Sequence, residues 1–133
     1  MARDAQTGGG HVLYCIIPVF NEAQNIDRLM GGLNRIASDV APLKLRILLV
    51  DDGSSDATES TAAQWRGRLD LEIIRHPRNR GPGAAFASGF AAIAGQLASD
   101  DWVLTLEGDN TSRAELVAAM LRRAAEGFDV GLA

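Results

Sequence analysis

The chain is poor in the features that mark secreted, membrane-spanning or nucleic-acid-binding proteins. Its 133 residues include one cysteine, Cys15, so no intrachain disulfide can form. Cys15 lies in an apolar run, where a small buried side chain is its expected role and a reducing compartment suits it. Basic residues are outnumbered by acidic ones, 13 against 17, for a net charge of −4. A dedicated nucleic-acid binder would carry the opposite excess, so no nucleic-acid partner is expected. Lysine is nearly absent: Lys44 stands alone and every other basic side chain is arginine. No apolar stretch reaches the roughly 20 residues that span a bilayer. The longest, Val12 to Phe20 and the Ala/Gly-rich Ala84 to Ala98, fall short, so no transmembrane segment is expected. The first ten residues are polar and Gly-rich with no apolar stretch, unlike a signal peptide. Aromatics are only 5%, and Trp65 and Trp102 are expected to pack rather than to stack on a ligand.

What is present suits one soluble domain: 47% hydrophobic and 23% charged residues. Val12 to Ile17 is a continuous apolar run stopped by Pro18, the pattern of a strand buried on both faces. Asn21 follows as a helix N-cap, with Gln24 completing a capping box. Ile26, Leu29, Met30, Leu33 and Ala37 then repeat at helical spacing, for a helix of about 16 residues. Leu45 to Val50 is a second buried strand, ended by the turn cluster Asp51-Asp52-Gly53-Ser54-Ser55. A helix from Ala57 to Arg68, a short strand from Leu71 to Arg75, a loop from His76 to Gly83 and a small-residue helix from Gly83 to Ala98 follow. Trp102 to Leu106 is a fourth strand, ended by Glu107-Gly108-Asp109-Asn110. A helix capped by Ser112 and Glu115 and the opening of a fifth strand at Asp129 complete the chain.

Alternation of strand and helix predicts an α/β fold: a mostly parallel, twisted sheet with helices on both faces. Ligands of such sheets lie beyond the carboxyl ends of the strands, which is where the polar clusters fall. Asp51 and Asp52 end the second strand, and Glu107 and Asp109 the fourth. Acids gathered at one edge call for a cation, and a hard divalent ion with oxygen ligands is the economical one. Glu107-Gly108-Asp109 places two acids on one side of an extended segment; a solvated turn is the competing reading. Asp51-Asp52 is either a turn with a helix cap or an acid that meets a nucleoside, and spacing leaves ribose and base equally open. Arg75, Arg78 and Arg80 flank a helix start at Gly81 and Gly83, where guanidinium groups and backbone N–H donors suit phosphate. His11 and His76 have no partner at metal or triad spacing and are expected to be structural or solvated. Neither a dinucleotide fingerprint nor a GxxxxGK[ST] phosphate loop occurs.

Four blocks, IIPVFNEAQNI (Ile16 to Ile26), LLVDDGSSDAT (Leu48 to Thr58), NRGPGAAFASGF (Asn79 to Phe90) and DDWVLTLEGDNTS (Asp100 to Ser112), resemble in order and spacing the family 2 glycosyltransferases of the GT-A fold. The subgroup most resembled is the polyprenyl (dolichyl) phosphate sugar synthases. The resemblance covers about Val12 to Ala133, so residues 1–11 are expected to be a flexible segment and 12–133 a nucleotide-sugar-binding domain. It implies transfer of a sugar from a UDP- or GDP-linked donor to an acceptor such as a polyprenyl phosphate, with inversion. It implies that Pro18, Val19, Phe20 and Glu22 line the nucleoside pocket, that Asp52 contacts the base and that Asp51 is its neighbour. It matches Glu107 and Asp109 to the metal-binding acids, Asp109 holding Mg²⁺ or Mn²⁺.

Departures from the family pattern are three. Glu replaces the first Asp of the metal motif. Pro82 stands between the glycines where a basic residue is common, so Arg78 or Arg80, beside Gly83, must supply that charge. The chain also ends where family members continue, so an acceptor side and any catalytic base are expected beyond Ala133. A sheet edge left without partners there is expected to favour self-association. The implied location is cytoplasmic, with at most peripheral membrane contact. Two other classes compete. One is a non-catalytic nucleotide-sugar-binding module. The other is a phospho-acceptor receiver domain, opposed by the lack of any lysine after Lys44 and by acids that follow the second strand rather than the first.

Overall fold

A computed structural model describes residues 11–106. They form β1 (Val12–Val19), α1 (Ala23–Asp39), β2 (Lys44–Asp51), α2 (Thr58–Ala63), β3 (Asp70–Arg75), α3 (Pro82–Ile93) and β4 (Trp102–Thr105). The sheet order is β3-β2-β1-β4 and every pairing is parallel. The chain therefore steps outward from β1 to β3 and returns to the other side of β1 for β4. That reversal is the switch point at which open α/β sheets bind ligands.

Side-chain alternation explains the two layers. Leu13, Cys15, Ile17, Val19, Ile47 and Leu49 face α1 and α2, packing on Ile26, Leu29, Met30, Leu33, Ile36 and Ala62. Each of these large side chains contributes about 1.5–3 kcal/mol on burial, before the entropy of ordering it. Val12, Tyr14, Ile16, Leu48 and Val50 face the other way, onto Ala85 and Ile93 of α3. The approach of α3 is close: a Cβ at Gly89 would lie 2.4 Å from Ile16 Cγ2.

Several boundaries differ from the sequence expectations. β1 runs through Pro18 to Val19. The Ile16 carbonyl accepts from Leu106 on the β4 side and the Val19 carbonyl from Asp52 on the β2 side. Pro18 shares the parity of Ile16, so its missing N–H falls on the β4 side, past the last paired residue of β4, and costs β2 no bond. Asn21 is not the N-cap of α1. Glu22 holds that position without a side-chain cap bond, so the Asn21–Gln24 box does not form. α2 stops at Ala63 because residues 64–69 wind into tight turns around Trp65, whose indole N–H reaches Asp27 at 2.9 Å. α3 begins at Pro82, whose lost N–H is harmless in a first turn, and ends at Ile93 rather than Ala98. Residues 1–10 of the expected flexible segment 1–11, and everything from Glu107 onward, the expected last helix and fifth strand included, lie outside the described residues.

Candidate functional site

Parallel register brings Val19, Asp51 and Arg75 side by side at one edge of the sheet. The loops that leave this edge are stitched together. Asn21 N–H donates to Ser54 Oγ at 2.8 Å, and Asn21 Oδ1 accepts from Ser55 N–H at 2.8 Å. Glu22 N–H donates to Thr58 Oγ1 at 2.9 Å, and the Thr58 hydroxyl donates to Asp56. Asn21 turns the chain at φ 51°, a left-handed conformation that asparagine tolerates better than most residues. The β2–α2 turn in its turn docks on the loop after β3. Gly53, at φ 82°, lies so close that a Cβ there would be 2.4 Å from the Arg78 carbonyl carbon.

The two aspartates have different surroundings. Asp51 is fully buried; Oδ1 accepts from Ser54 N–H at 2.9 Å and Oδ2 from Arg75 Nη1 at 2.8 Å. Arg75 also donates to the Ser54 carbonyl at 2.8 Å, so it is the counter-ion of the turn and not a free phosphate ligand. Asp52 is 4% exposed and accepts three bonds: His76 Nδ1 at 2.7 Å and Arg80 N–H at 2.9 Å on Oδ1, and Gly81 N–H at 2.9 Å on Oδ2. Burial opposes ionisation of Asp52. The His76 ring, the two backbone N–H groups and the charge His76 can carry outweigh it and hold the carboxyl below its ordinary value. His76 Nε2 meets Ser88 Oγ at 2.7 Å.

Of the residues singled out in the sequence, Phe20 projects into solvent at 44% exposure and Glu22 is half-buried. Pro18 is half-buried, whereas the Val19 side chain is spent on the core facing α1. Arg78 and Arg80 are exposed and form no ion pair among the described residues. Gly83 lies in the first turn of α3 with open space where a Cβ would point. Glu107 and Asp109 lie outside the described residues, and no group of three or more candidate metal ligands occurs within them. Sequence reasoning missed the Asp52–His76–Ser88 chain. Its signal is positional: Asp51 pairs with Arg75, so the next residue of each strand, Asp52 and His76, must be neighbours.

Residues 14–132 match glycosyl transferase family 2. The chain belongs to that family. It is 32% identical over 117 residues to the undecaprenyl-phosphate 4-deoxy-4-formamido-L-arabinose transferase of Salmonella choleraesuis (strain SC-B67), a match covering 86% of this chain and 34% of the relative. The Salmonella paratyphi B protein of the same name matches equally. The chain thus spans about a third of the length of these curated relatives. Among solved structures, S. aureus TarS 1-349 in complex with UDP superposes with a TM-score of 0.63 at 21% identity, over 90% of this chain and 38% of that chain. The mannosyltransferase PcManGT from Pyrobaculum calidifontis, in complex with GDP-Man and Mn²⁺, gives 0.60 at 21% identity, over 81% and 31%. These neighbours establish the GT-A glycosyltransferase fold for this family 2 chain. The fold is not that of a receiver domain.

Proposed function

We propose that this chain is the donor-binding part of a glycosyltransferase that takes a sugar from a UDP- or GDP-linked donor and passes it, with inversion, to a polyprenyl phosphate. The observation that carries the reading is the convergence at the switch-point edge of Phe20, Glu22, Asp52 and the N-terminus of α3, beside Arg78 and Arg80, which form no ion pair among the described residues. Helix N–H groups and free guanidinium groups suit a diphosphate. Three of the four lone-pair positions of Asp52 are taken, which leaves one on Oδ2 for a base N–H. The undecaprenyl-phosphate transferases among the relatives support the acceptor class.

Glu107 and Asp109 are the residues that would hold Mg²⁺ or Mn²⁺; their oxygen donors suit a hard cation. Leu106 N–H bonds to Ile16 O, so β4 delivers the chain to the same edge as β1. When bound, the ion would neutralise charge on the donor diphosphate. An anionic phosphate acceptor needs no general base from the protein. Among the described residues no helix is long and apolar enough to cross a membrane. A cytoplasmic chain that meets its lipid acceptor peripherally is part of the same proposal, as is self-association through an exposed sheet edge.

Calorimetry with UDP and GDP, each with and without Mg²⁺ or Mn²⁺, tests the reading. Metal-dependent binding of one nucleotide, lost in Asp109→Ala, is expected. Binding of neither nucleotide defeats the reading, and binding indifferent to metal defeats the role of Asp109. Binding without sugar transfer to a polyprenyl phosphate would favour the non-catalytic module.

A further inference from the structure

Asp52, His76 and Ser88 form a continuous hydrogen-bonded chain from the end of β2, across the end of β3, to the second turn of α3. The same three residue types carry nucleophilic catalysis elsewhere, but that use fails here. Ser88 is the seventh residue of α3, where the backbone N–H groups around it are committed within the helix, and none is left to stabilise an oxyanion. The chain must do something else.

Its chemistry determines the ring. An ionised carboxylate only accepts, so the His76 nitrogen facing Asp52 carries a proton: Nδ1–H donates to Oδ1. With the ring neutral, Nε2 accepts from the Ser88 hydroxyl. His76 is 4% exposed and packed at a strand end, so it is held at both nitrogens with little freedom to turn. Asp52, held by His76, accepts in turn the N–H groups of Arg80 and Gly81, the last residues before α3. Gly81 adopts φ 95° there, a conformation open to glycine, with its N–H held by Asp52 Oδ2. From the other side, the loop is pressed by Gly53 against the Arg78 and Asn79 backbone.

We propose that His76 is a positioning residue of the donor site: by fixing the Asp52 carboxylate it sets the turn from Arg78 to Gly81, and with it the helix start and arginines that would receive the nucleotide diphosphate. This rests on the nucleotide-sugar reading above. His76 touches no reacting atom. It acts through Asp52, and Ser88 acts through His76.

The side-chain geometry provides a test that separates this role from simple packing. In Asn, the amide nitrogen stands close to where His Nδ1 stands; in Gln it stands near Nε2. His76→Asn therefore keeps a donor for Asp52, whereas His76→Gln keeps only the reach toward Ser88. Nucleotide affinity is measured by calorimetry with whichever of UDP and GDP the parent binds, beside thermal melting of each variant. His76→Ala is expected to weaken binding at least tenfold, His76→Asn to restore it to within about threefold of the parent, and His76→Gln to remain near the Ala level. Ser88→Ala is expected to cost about two- to threefold.

His76→Ala that folds and binds like the parent, or Gln outperforming Asn, overturns the inference. Should the Ala variant not fold, the Asn–Gln contrast and the ring tautomer decide. Nitrogen-15 NMR of the parent is expected to show the Nδ1–H form, or a doubly protonated ring; a neutral Nε2–H ring overturns the proposal. A parent that binds neither nucleotide defeats the underlying reading and the inference with it. Parent binding with an indifferent His76→Ala defeats the inference alone.

Discussion

Substituting Gly53 by alanine tests how tightly the site loops are locked together. Two costs are superimposed. The φ of 82° is left-handed, which costs an L-residue about 1–2 kcal/mol. The added Cβ also lands 2.4 Å from Arg78 C, 2.5 Å from Asn79 N and 2.7 Å from Arg78 Cα. All three are backbone atoms, so no side chain can swing aside and the loop itself must retreat. Overpacking of this kind costs about 1–3 kcal/mol. The sum, about 2–5 kcal/mol, is a large part of the 5–15 kcal/mol that holds a typical domain. Urea unfolding followed by circular dichroism reads it as a lower midpoint at unchanged slope. Gly83→Ala is the control. It lies inside α3 with nothing within 4 Å of the new Cβ, and alanine there is expected to be neutral or to stabilise by up to about 1 kcal/mol. A Gly53→Ala protein within 1 kcal/mol of the parent, or a Gly83→Ala protein just as weakened, would refute the reasoning.

Other expectations concern buried charge and thiol chemistry. Arg75→Ala leaves the buried Asp51 without its counter-ion; because Arg75 is itself 40% exposed and water can enter, the cost is set at about 1–3 kcal/mol rather than the 3–5 of a fully enclosed pair. An Asp51→Asn, Arg75→Ala double variant should lose less than the sum of the singles in a denaturant cycle. Asp52 and Asp56 both titrate below their ordinary value, the latter through the Thr58 hydroxyl, so the native state binds their protons less readily than the unfolded chain. Their stabilisation is therefore complete above an unfolded-state pKa of about 3.9 and is lost as pH falls through the folded values. Asp52→Asn should flatten that acid limb, read as urea midpoints from pH 6 downward; an unchanged slope counts against it. Burial pushes the Cys15 thiol up to about 12, so a thiol reagent at pH 8 should label it only as fast as the protein opens, and rapid labelling of folded protein would contradict its burial.

The elements most legible in sequence were those whose neighbours are fixed by their own pattern. β1 and β2 are buried on both faces, so their unbroken apolar runs mark them. The buried positions of α1 repeat at helical spacing. What was not legible depended on partners far along the chain. Asn21 looks like a cap until Ser54 and Ser55, over thirty residues away, claim it. Trp65 continues the apolar spacing of α2 yet belongs to the turn beyond it, held by Asp27. Arg75 reads as a phosphate candidate at a strand end, and His76 as a structural or solvated loop residue, until strand register sets them beside Asp51 and Asp52. The clustering of polar residues at the strand ends, where the candidate site is proposed, is a local pattern that the sequence shows. The division of labour between the two aspartates did not, because it follows from which loop each one faces.

The contact between Gly89 and Ile16 has a mechanical consequence. It pins α3 to the sheet seven residues after Pro82, about 10 Å along the helix axis at 1.5 Å per residue. Ala85 and Ile93 pack on the sheet to either side of it, so the helix shifts as one rod. Tilting it by about 6° would sweep its leading end through about 1 Å, a hydrogen bond's tolerance. A methyl group inserted at Gly89 would therefore shift the turn on which the proposed donor site depends.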